Sequence, residues 1–189
     1  MINIDLNKEQ INILCLGAHC DDIEIGCGAS ILKLIDKYAK NVRIKWMVFT
    51  SDDIRKNEAK HSAELFLEGV HEKDIDILNY KDGFLPRDWN HIKLYFEKIK
   101  GDFKPDIIFT HYRHDLHQDH RVINELTWNT FRNHFILEYE ILKYDGDIGN
   151  PNFYISLSNT IVEKKCNIIS ESFVSQKNKK WFTSDAFKS

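Results

Sequence analysis

Two short stretches of the sequence contain the residue types that bind and activate metal ions. In residues 17–28, His19 is followed by the adjacent carboxylates Asp21 and Asp22. In residues 111–120, a histidine stands at every third position. Catalytic zinc takes three protein ligands, commonly imidazole and carboxylate, and keeps one position open for water. The two stretches together therefore indicate metal-dependent hydrolysis.

The spacing within the stretches suggests how the roles are divided. His19 and one of the two aspartates supply two ligands, and the third comes from the histidine-rich stretch. Neighbouring residues in an extended loop point in different directions, so the other aspartate stays free as a general base. If Asp119 is the N-cap of the following helix, His117 and His120 both face the site, one on the metal and one beside it. Asp119 can also orient an imidazole.

Four short apolar runs predict buried strands, and an amphipathic helix follows each of them. The strands are expected at 11–16, 44–49, 75–78 and 107–110, and the helices at 30–39, 55–67, 90–100 and 119–132. This alternation predicts an α/β fold: a Rossmann-like, doubly wound, mostly parallel sheet with helices on both faces, in three layers. Such folds bind ligands beyond the carboxyl ends of their strands, where both stretches lie.

The C-terminal third follows this alternation less regularly. We expect a further strand at 136–144, a glycine-containing turn at 145–152, a helix at 161–169 and a frayed, lysine-rich helix from Gln176 onward. The 189 residues, 42% of them hydrophobic, are sufficient for one core. Residues 1–189 are therefore predicted to form a single domain.

Composition limits the partners and the compartment. A formal net charge of −3 gives no general attraction to nucleic acid or to anionic membranes, so a small polar molecule is the expected partner. Residues 1–10 lack the order of a secretory signal, and no run approaches the roughly 20 apolar residues of a membrane span. We expect a cytoplasmic protein whose four cysteines are free thiols. Whether it forms a homo-oligomer is left open.

Gly26 and Gly28 are expected to allow the turn into the first helix. Their spacing is not the GxGxxG pattern of dinucleotide-binding proteins, and the neighbouring carboxylates would repel a pyrophosphate. Nucleotide binding is not predicted.

Three motifs resemble the PIG-L/LmbE-like family of zinc-dependent N-deacetylases. They read Ala18-His19-Cys20-Asp21-Asp22, then Glu24-x-Gly26-Cys27-Gly28-Ala29, and His117-Gln118-Asp119-His120. The resemblance continues through Arg55-x-x-Glu58-Ala59, Lys81-Asp82-Gly83 and Ser175-Gln176, and so covers most of the chain.

The resemblance implies removal of an N-acetyl group from an amino sugar or its conjugate by metal-activated water. By that resemblance His19, Asp22 and His120 hold the metal and Asp21 is the general base. His117 would be the electrophile or general acid that stabilises the oxyanion and helps the amine to leave. The implied metal is Zn²⁺, although two histidines and one aspartate also accept Fe²⁺, cobalt or nickel.

The remaining implied roles concern residues around this centre. Asp119 would orient and charge His117, whereas Arg55 and Asp82 would hold sugar hydroxyls. Cys20 stands where the family usually has proline, and we expect it to be a tolerated replacement. Relatives usually continue past the Ser-Gln segment, so a C-terminal truncation and a naturally short chain are both open.

Three alternatives remain at this point. One is a catalytically inactive or regulatory sugar-binding relative. Another is a metal-dependent phosphoesterase, disfavoured because no cluster of Arg and Lys accompanies the site. The third is a structural metal, which predicts a closed shell of four ligands instead of three.

Overall fold

The computed structural model describes residue 6 and residues 8–188, and its centre is a five-stranded, all-parallel sheet. The strand order is β3-β2-β1-β4-β5. The strands are β1 (Ile11–Gly17), β2 (Val42–Thr50), β3 (Glu72–Tyr80), β4 (Ile107–His111) and β5 (Phe135–Tyr139). The four strands expected in the first part of the chain all form, and each is longer than its predicted run.

Helices cover both faces of the sheet. They are α1 (Asp22–Tyr38), α2 (Asp53–Phe66), α3 (Trp89–Asp102), α4 (Gln118–Thr130), α5 (Asn159–Ser172) and α6 (Ser184–Lys188). Helices α1, α2 and α5 share one apolar core with the sheet, and α3 and α4 share a second core on the opposite face. The predicted doubly wound fold in three layers is confirmed. Among the residues described, no helix is both long and apolar enough to cross a membrane.

The strand order brings together the two stretches that are rich in histidine and aspartate. β1 pairs in parallel with β2 on one side and with β4 on the other. The chain therefore winds outward in opposite directions from β1 and β4, which makes their carboxyl ends the switch point where such folds bind ligands. The loops that follow Gly17 and His111 open at this point.

Two expectations for the C-terminal third were wrong in extent. The strand predicted at 136–144 ends at Tyr139, because the chain then turns toward the loop after β4, where the Leu116 N–H donates to Asp147 Oδ2 at 2.7 Å. Of the described residues from Gln176 onward, only those of α6 are α-helical. Residues 177–180 are exposed and give a helix no apolar face, whereas Trp181 and Phe182 pack against the core outside any helix.

Gly26 and Gly28 lie inside α1 and not in a turn that precedes it. A Cβ atom at Gly26 would stand 2.1 Å from Cδ2 of Tyr139, and one at Gly28 would stand 2.7 Å from Cε1 of Phe66. The two glycines therefore let α1 pack closely against β5 and α2. The expectation that they form the turn into the helix is corrected.

Gly26→Ala should destabilise the protein by about 1–3 kcal/mol, because Tyr139 is buried and cannot move aside freely. Urea denaturation measures the change in the free energy of unfolding. Gly101→Ala is the matched control, since it lies in α3 and, apart from its chain neighbours and the local helix backbone, no atom of the described residues is within 4 Å of its Cβ position. That variant should be more stable than wild type, by up to about 1 kcal/mol. Equal destabilisation of the two variants would contradict the close packing at Gly26.

Candidate metal centre

The loop after β1 is held from both sides at Ala18. Its N–H donates to Nε2 of His111 at 2.9 Å. Its carbonyl oxygen accepts hydrogen bonds from the Thr50 N–H at 2.9 Å and from the Thr50 hydroxyl at 2.8 Å. Residues at the ends of β2 and β4 thus fix the point from which His19 and the two aspartates project.

Three donor atoms converge beyond this point. Nδ1 of His19 lies 3.1 Å from Nε2 of His120 and 3.3 Å from Oδ2 of Asp22. Nε2 of His120 lies 3.5 Å from the same carboxylate oxygen. In a tetrahedral shell with bonds of about 2.1 Å, ligand atoms are separated by about 3.4 Å. The spacing of the three atoms therefore fits one face of such a shell.

In His19 and in His120, one ring nitrogen points away from the three converging donor atoms. This outer nitrogen faces a carboxylate in both residues. Nδ1 of His120 lies 2.8 Å from Oδ2 of Asp115. Nε2 of His19 lies 3.1 Å from Oδ1 of Asp82 and 3.2 Å from Oδ2 of Asp119. A carboxylate partner keeps the proton on the outer nitrogen and leaves the lone pair on the inner one. Lone pairs of His19, His120 and Asp22 then point at one another, an arrangement that a cation would stabilise.

The surrounding charges strongly shift the pKa values of Asp22 and His19. Burial alone would raise the pKa of Asp22, but His120, His19 and His111 hold it well below its usual range. Burial alone would lower the pKa of His19, yet Asp22 and the carboxylates at its outer nitrogen raise it well above the ordinary value. The carboxylate of Asp22 is therefore charged and favours a proton on His19, and a metal ion that binds here would take the place of that proton.

His111 supports the centre from within the core. It is fully buried, its ring stacks on His120 with centroids 3.9 Å apart, and its Nε2 lies 3.2 Å from Oδ2 of Asp22. Burial, reinforced by the electrostatic interaction with His120, lowers the pKa of His111 to about 4. Because the lone pair of Nε2 accepts the Ala18 N–H, His111 fits a supporting role better than a ligand role.

Asp21 and Arg55 form an ion pair beside the donor atoms. Oδ1 of Asp21 accepts a hydrogen bond from Nη2 of Arg55 at 2.9 Å. Oδ2 of Asp21 is buried and has no hydrogen-bond partner among the described residues. Burial raises the pKa of Asp21, and the guanidinium opposes part of that rise. Arg55, expected to hold sugar hydroxyls, is directed at the expected base.

His117 and Asp119 differ from their expected arrangement. The N-cap of α4 is His117, whose Nδ1 accepts the Asp119 N–H at 3.2 Å, so Asp119 is not the cap. The Asp119 carboxylate, which was expected to orient His117, instead contacts His19 and accepts the N–H groups of Gly83 and Leu85 at 2.7 and 3.0 Å. The half-buried ring of His117 lies edge-on to His19, with centroids 4.7 Å apart. Burial and nearby His19 lower the pKa of His117.

The loop after β3 brings Asp82 to the site. Gly83 has φ +81°, a left-handed conformation that glycine adopts without strain, and its N–H is directed at Asp119. The turn leaves the Asp82 side chain 70% exposed with one oxygen on His19. This carboxylate is therefore the most accessible acidic group around the three donor atoms and can meet a ligand from solvent.

Cys20 does not contact the converging atoms. Its thiol is buried and donates to the Thr50 carbonyl oxygen at 3.3 Å, and burial raises the pKa of the thiol. A neutral thiol directed into the core fits the expectation of a tolerated replacement for proline.

Sequence reasoning assigned no role to Asp115 or His111. Both stand in the histidine-rich stretch, so their residue types were a signal, but their partners depend on the turn between β4 and α4. Asp115 accepts the His117 N–H at 2.8 Å and contacts Nζ of Lys143 at 3.1 Å, in addition to His120. These contacts hold its carboxylate in place behind the His120 ring.

The PIG-L family model, described as GlcNAc-PI de-N-acetylase, matches residues 14–131. This match covers more than half of the chain and includes both stretches of the site. The chain belongs to the PIG-L family.

A curated relative agrees with this assignment. "Uncharacterized deacetylase YaiS" of Escherichia coli (strain K12) is 32% identical over 128 residues, which are 62% of this chain and 65% of that protein. The chain therefore spans about two thirds of the length of the curated relative it matches.

Two solved structures show the fold. The N,N'-diacetylchitobiose deacetylase from Pyrococcus horikoshii has a TM-score of 0.66 at 23% identity and covers 94% of this chain and 75% of its own. GalB, the 4-carboxy-2-hydroxymuconate hydratase from Pseudomonas putida KT2440, has a TM-score of 0.71 at 12% identity and covers 94% and 83%. A deacetylase and a hydratase thus share this architecture, so the reaction has to be argued from the site.

Asp115→Ala should weaken Zn²⁺ binding about 10- to 100-fold, because His120 loses the carboxylate that fixes its ring and tautomer. Isothermal titration calorimetry on metal-stripped protein measures the dissociation constant. Asp102→Ala, which removes an exposed carboxylate at the end of α3, should bind like wild type. Wild-type affinity in Asp115→Ala would contradict the supporting role of Asp115 behind a metal-bound His120.

Proposed function

We propose that this chain is a metal-dependent hydrolase that removes an N-acetyl or related acyl group from an amino sugar or its conjugate. The ligands in this proposal are His19, Asp22 and His120, and the general base is Asp21. The observation that supports it most directly is the 3.1–3.5 Å separation of the three donor atoms. Family membership favours this bond type, as do the names of YaiS and the P. horikoshii protein, both of which are called deacetylases.

The donor set fits Zn²⁺ and also accepts Fe²⁺. Two imidazoles and one carboxylate are typical of catalytic sites for these ions, and both outer nitrogens already have carboxylate partners. When bound, such an ion supplies Lewis-acid polarisation of water and of the amide carbonyl group.

Asp21 is suited to accept the proton of the attacking water. Arg55 occupies one of its carboxylate oxygens, and the other has no partner in the described part of the chain. Its raised pKa makes it a stronger base than an exposed carboxylate. Because Arg55 binds Oδ1 of Asp21, Oδ2 of the same carboxylate points away from the guanidinium.

His117 is suited to donate a hydrogen bond to the developing oxyanion. Its Nδ1 accepts the Asp119 N–H, which leaves Nε2 as the nitrogen that bears the proton of the neutral ring. A donor aimed at the position of the oxyanion stabilises it, while the proton that Asp21 takes from water can pass to the departing amine nitrogen. Asp119 contributes by holding His19 and the loop after β3.

The proposed substrate is a small N-acyl amino sugar that enters the site beside exposed Asp82. The Asp82 carboxylate can accept hydrogen bonds from sugar hydroxyl groups. Phosphate esters are disfavoured because carboxylates surround the donor atoms, whereas Arg55 is engaged by Asp21. The carboxylates are Asp21, Asp22, Asp82, Asp115 and Asp119. The unpartnered oxygen of Asp21 disfavours a purely sugar-binding relative, which would need no base.

Asp21→Asn should reduce acetate release by about 100-fold or more, because the amide cannot accept the proton of water. The assay compares release from N-acetylglucosamine and a panel of its conjugates, with bound metal quantified in each sample. His120→Ala is the contrasting variant and should lose the metal itself. Normal turnover by Asp21→Asn would remove the assigned base, and release that persists after complete metal removal would exclude metal dependence.

A further inference from the structure

Two residues in the motifs shared with the PIG-L family have no role in the chemistry above. They are Glu58 on α2 and Ser175, which lies 117 positions later in the 3₁₀ turn after α5. The two residues contact each other directly. The Ser175 N–H donates to Oε1 of Glu58 at 2.8 Å, and its hydroxyl donates to Oε2 at 2.6 Å. Both carboxylate oxygens of Glu58 are therefore held by one residue.

Glu58 also lies one helical turn after Arg55 and close to its guanidinium. Nε of Arg55 is 4.0 Å from Oε2 of Glu58, and the side chains are only 17% and 12% exposed. The contact is an ion pair and not a hydrogen bond, since Nε is buried without a hydrogen-bond partner among the described residues. The guanidinium therefore lies between two carboxylates, Asp21 on one side and Glu58 on the other. The ring of Phe173, two residues before Ser175, stands 6.0 Å from Cζ of Arg55.

We propose that Glu58 and Ser175 form a clamp that positions Arg55 on Asp21, so that segment 173–176 controls the orientation of the base. An arginine side chain has many rotamers, and one hydrogen bond to Asp21 leaves the guanidinium free to swing. A second carboxylate, itself fixed by Ser175, restricts that motion. Oδ1 of Asp21 then stays engaged and Oδ2 stays free.

The predicted effect of the clamp on catalysis rests on the proposed function, whereas the restraint of the Arg55 side chain does not. Glu58 and Ser175 are positioning residues, because both act through Arg55. A merely structural tie between α2 and segment 173–176 would alter stability but not the mobility of the Arg55 side chain. The two roles can therefore be separated by experiment.

The kinetic test compares Glu58→Ala and Ser175→Ala with wild type in the acetate-release assay. The expected result is a kcat lower by about 10-fold in Glu58→Ala and about 3-fold in Ser175→Ala, with KM changed less than about 2-fold. Ser175→Thr keeps the hydroxyl and should keep the wild-type kcat. Glu64→Ala is the matched control, an exposed glutamate on the same helix, and should be unchanged. A raised KM with normal kcat would overturn the clamp, because Arg55 would then act on the substrate.

A second measurement needs no turnover. Hydrogen exchange of the Arg55 Nε–H can be followed by NMR on ¹⁵N-labelled protein and assigned with Arg55→Lys. Because this N–H is buried, its exchange rate reports how often motion of the guanidinium brings it to solvent. Exchange should be about 10-fold faster in Glu58→Ala and Ser175→Ala than in wild type and Glu64→Ala. Unchanged exchange in both clamp variants would overturn the proposal. If wild type releases no acetate from any substrate, the proposed function fails, whereas the exchange rates still decide the clamp.

Discussion

The site depends on the convergence of three lone pairs within 3.5 Å at the carboxyl ends of β1 and β4. Two imidazole nitrogens and a carboxylate oxygen at this distance repel one another unless positive charge lies between them. The surrounding structure holds them there by occupying the outer nitrogen of each ring. Asp115 does this for His120, and Asp119 with Asp82 does it for His19. The adjacency of β1 and β4 in the sheet is what allows residues a hundred positions apart to meet.

The same contacts join the site to the fold. Asp119 accepts hydrogen bonds from two backbone N–H groups of the loop after β3, so formation of the site also anchors that loop to α4. His111 joins β4 to the loop after β1 through Ala18. Because buried polar groups are costly without partners, each of these side chains stabilises a backbone segment while it helps to position the three donor atoms. A substitution in one supporting residue is therefore expected to affect both stability and metal affinity.

The alternation of apolar runs and amphipathic helices was enough to predict the fold class, and the position after each strand was enough to find both stretches of the site. Strand order was not predictable, because alternation alone does not say that β4 lies beside β1. Hydrogen-bond partners across the site were also out of reach. Asp119 stands two residues from His117, yet its carboxylate turns to His19 and to Gly83, a choice made by the loop after β3. The role of Gly26 likewise depends on Tyr139, which is distant in sequence, so a local turn was the natural but wrong expectation.

A crystal structure of the zinc-loaded protein, with anomalous data collected across the zinc absorption edge, would locate the ion without reference to activity. Alternative trios exist in the same cluster, because Asp22, His111 and His120 also offer ligand atoms within 4.8 Å of one another, as do His19, His117 and His120. We predict one anomalous peak bonded to Nδ1 of His19, Oδ2 of Asp22 and Nε2 of His120, with Asp21 beside it and not bonded to it. A peak bonded to His111, or one that leaves out Asp22, would contradict the proposed ligand set and the role of Asp21 derived from it.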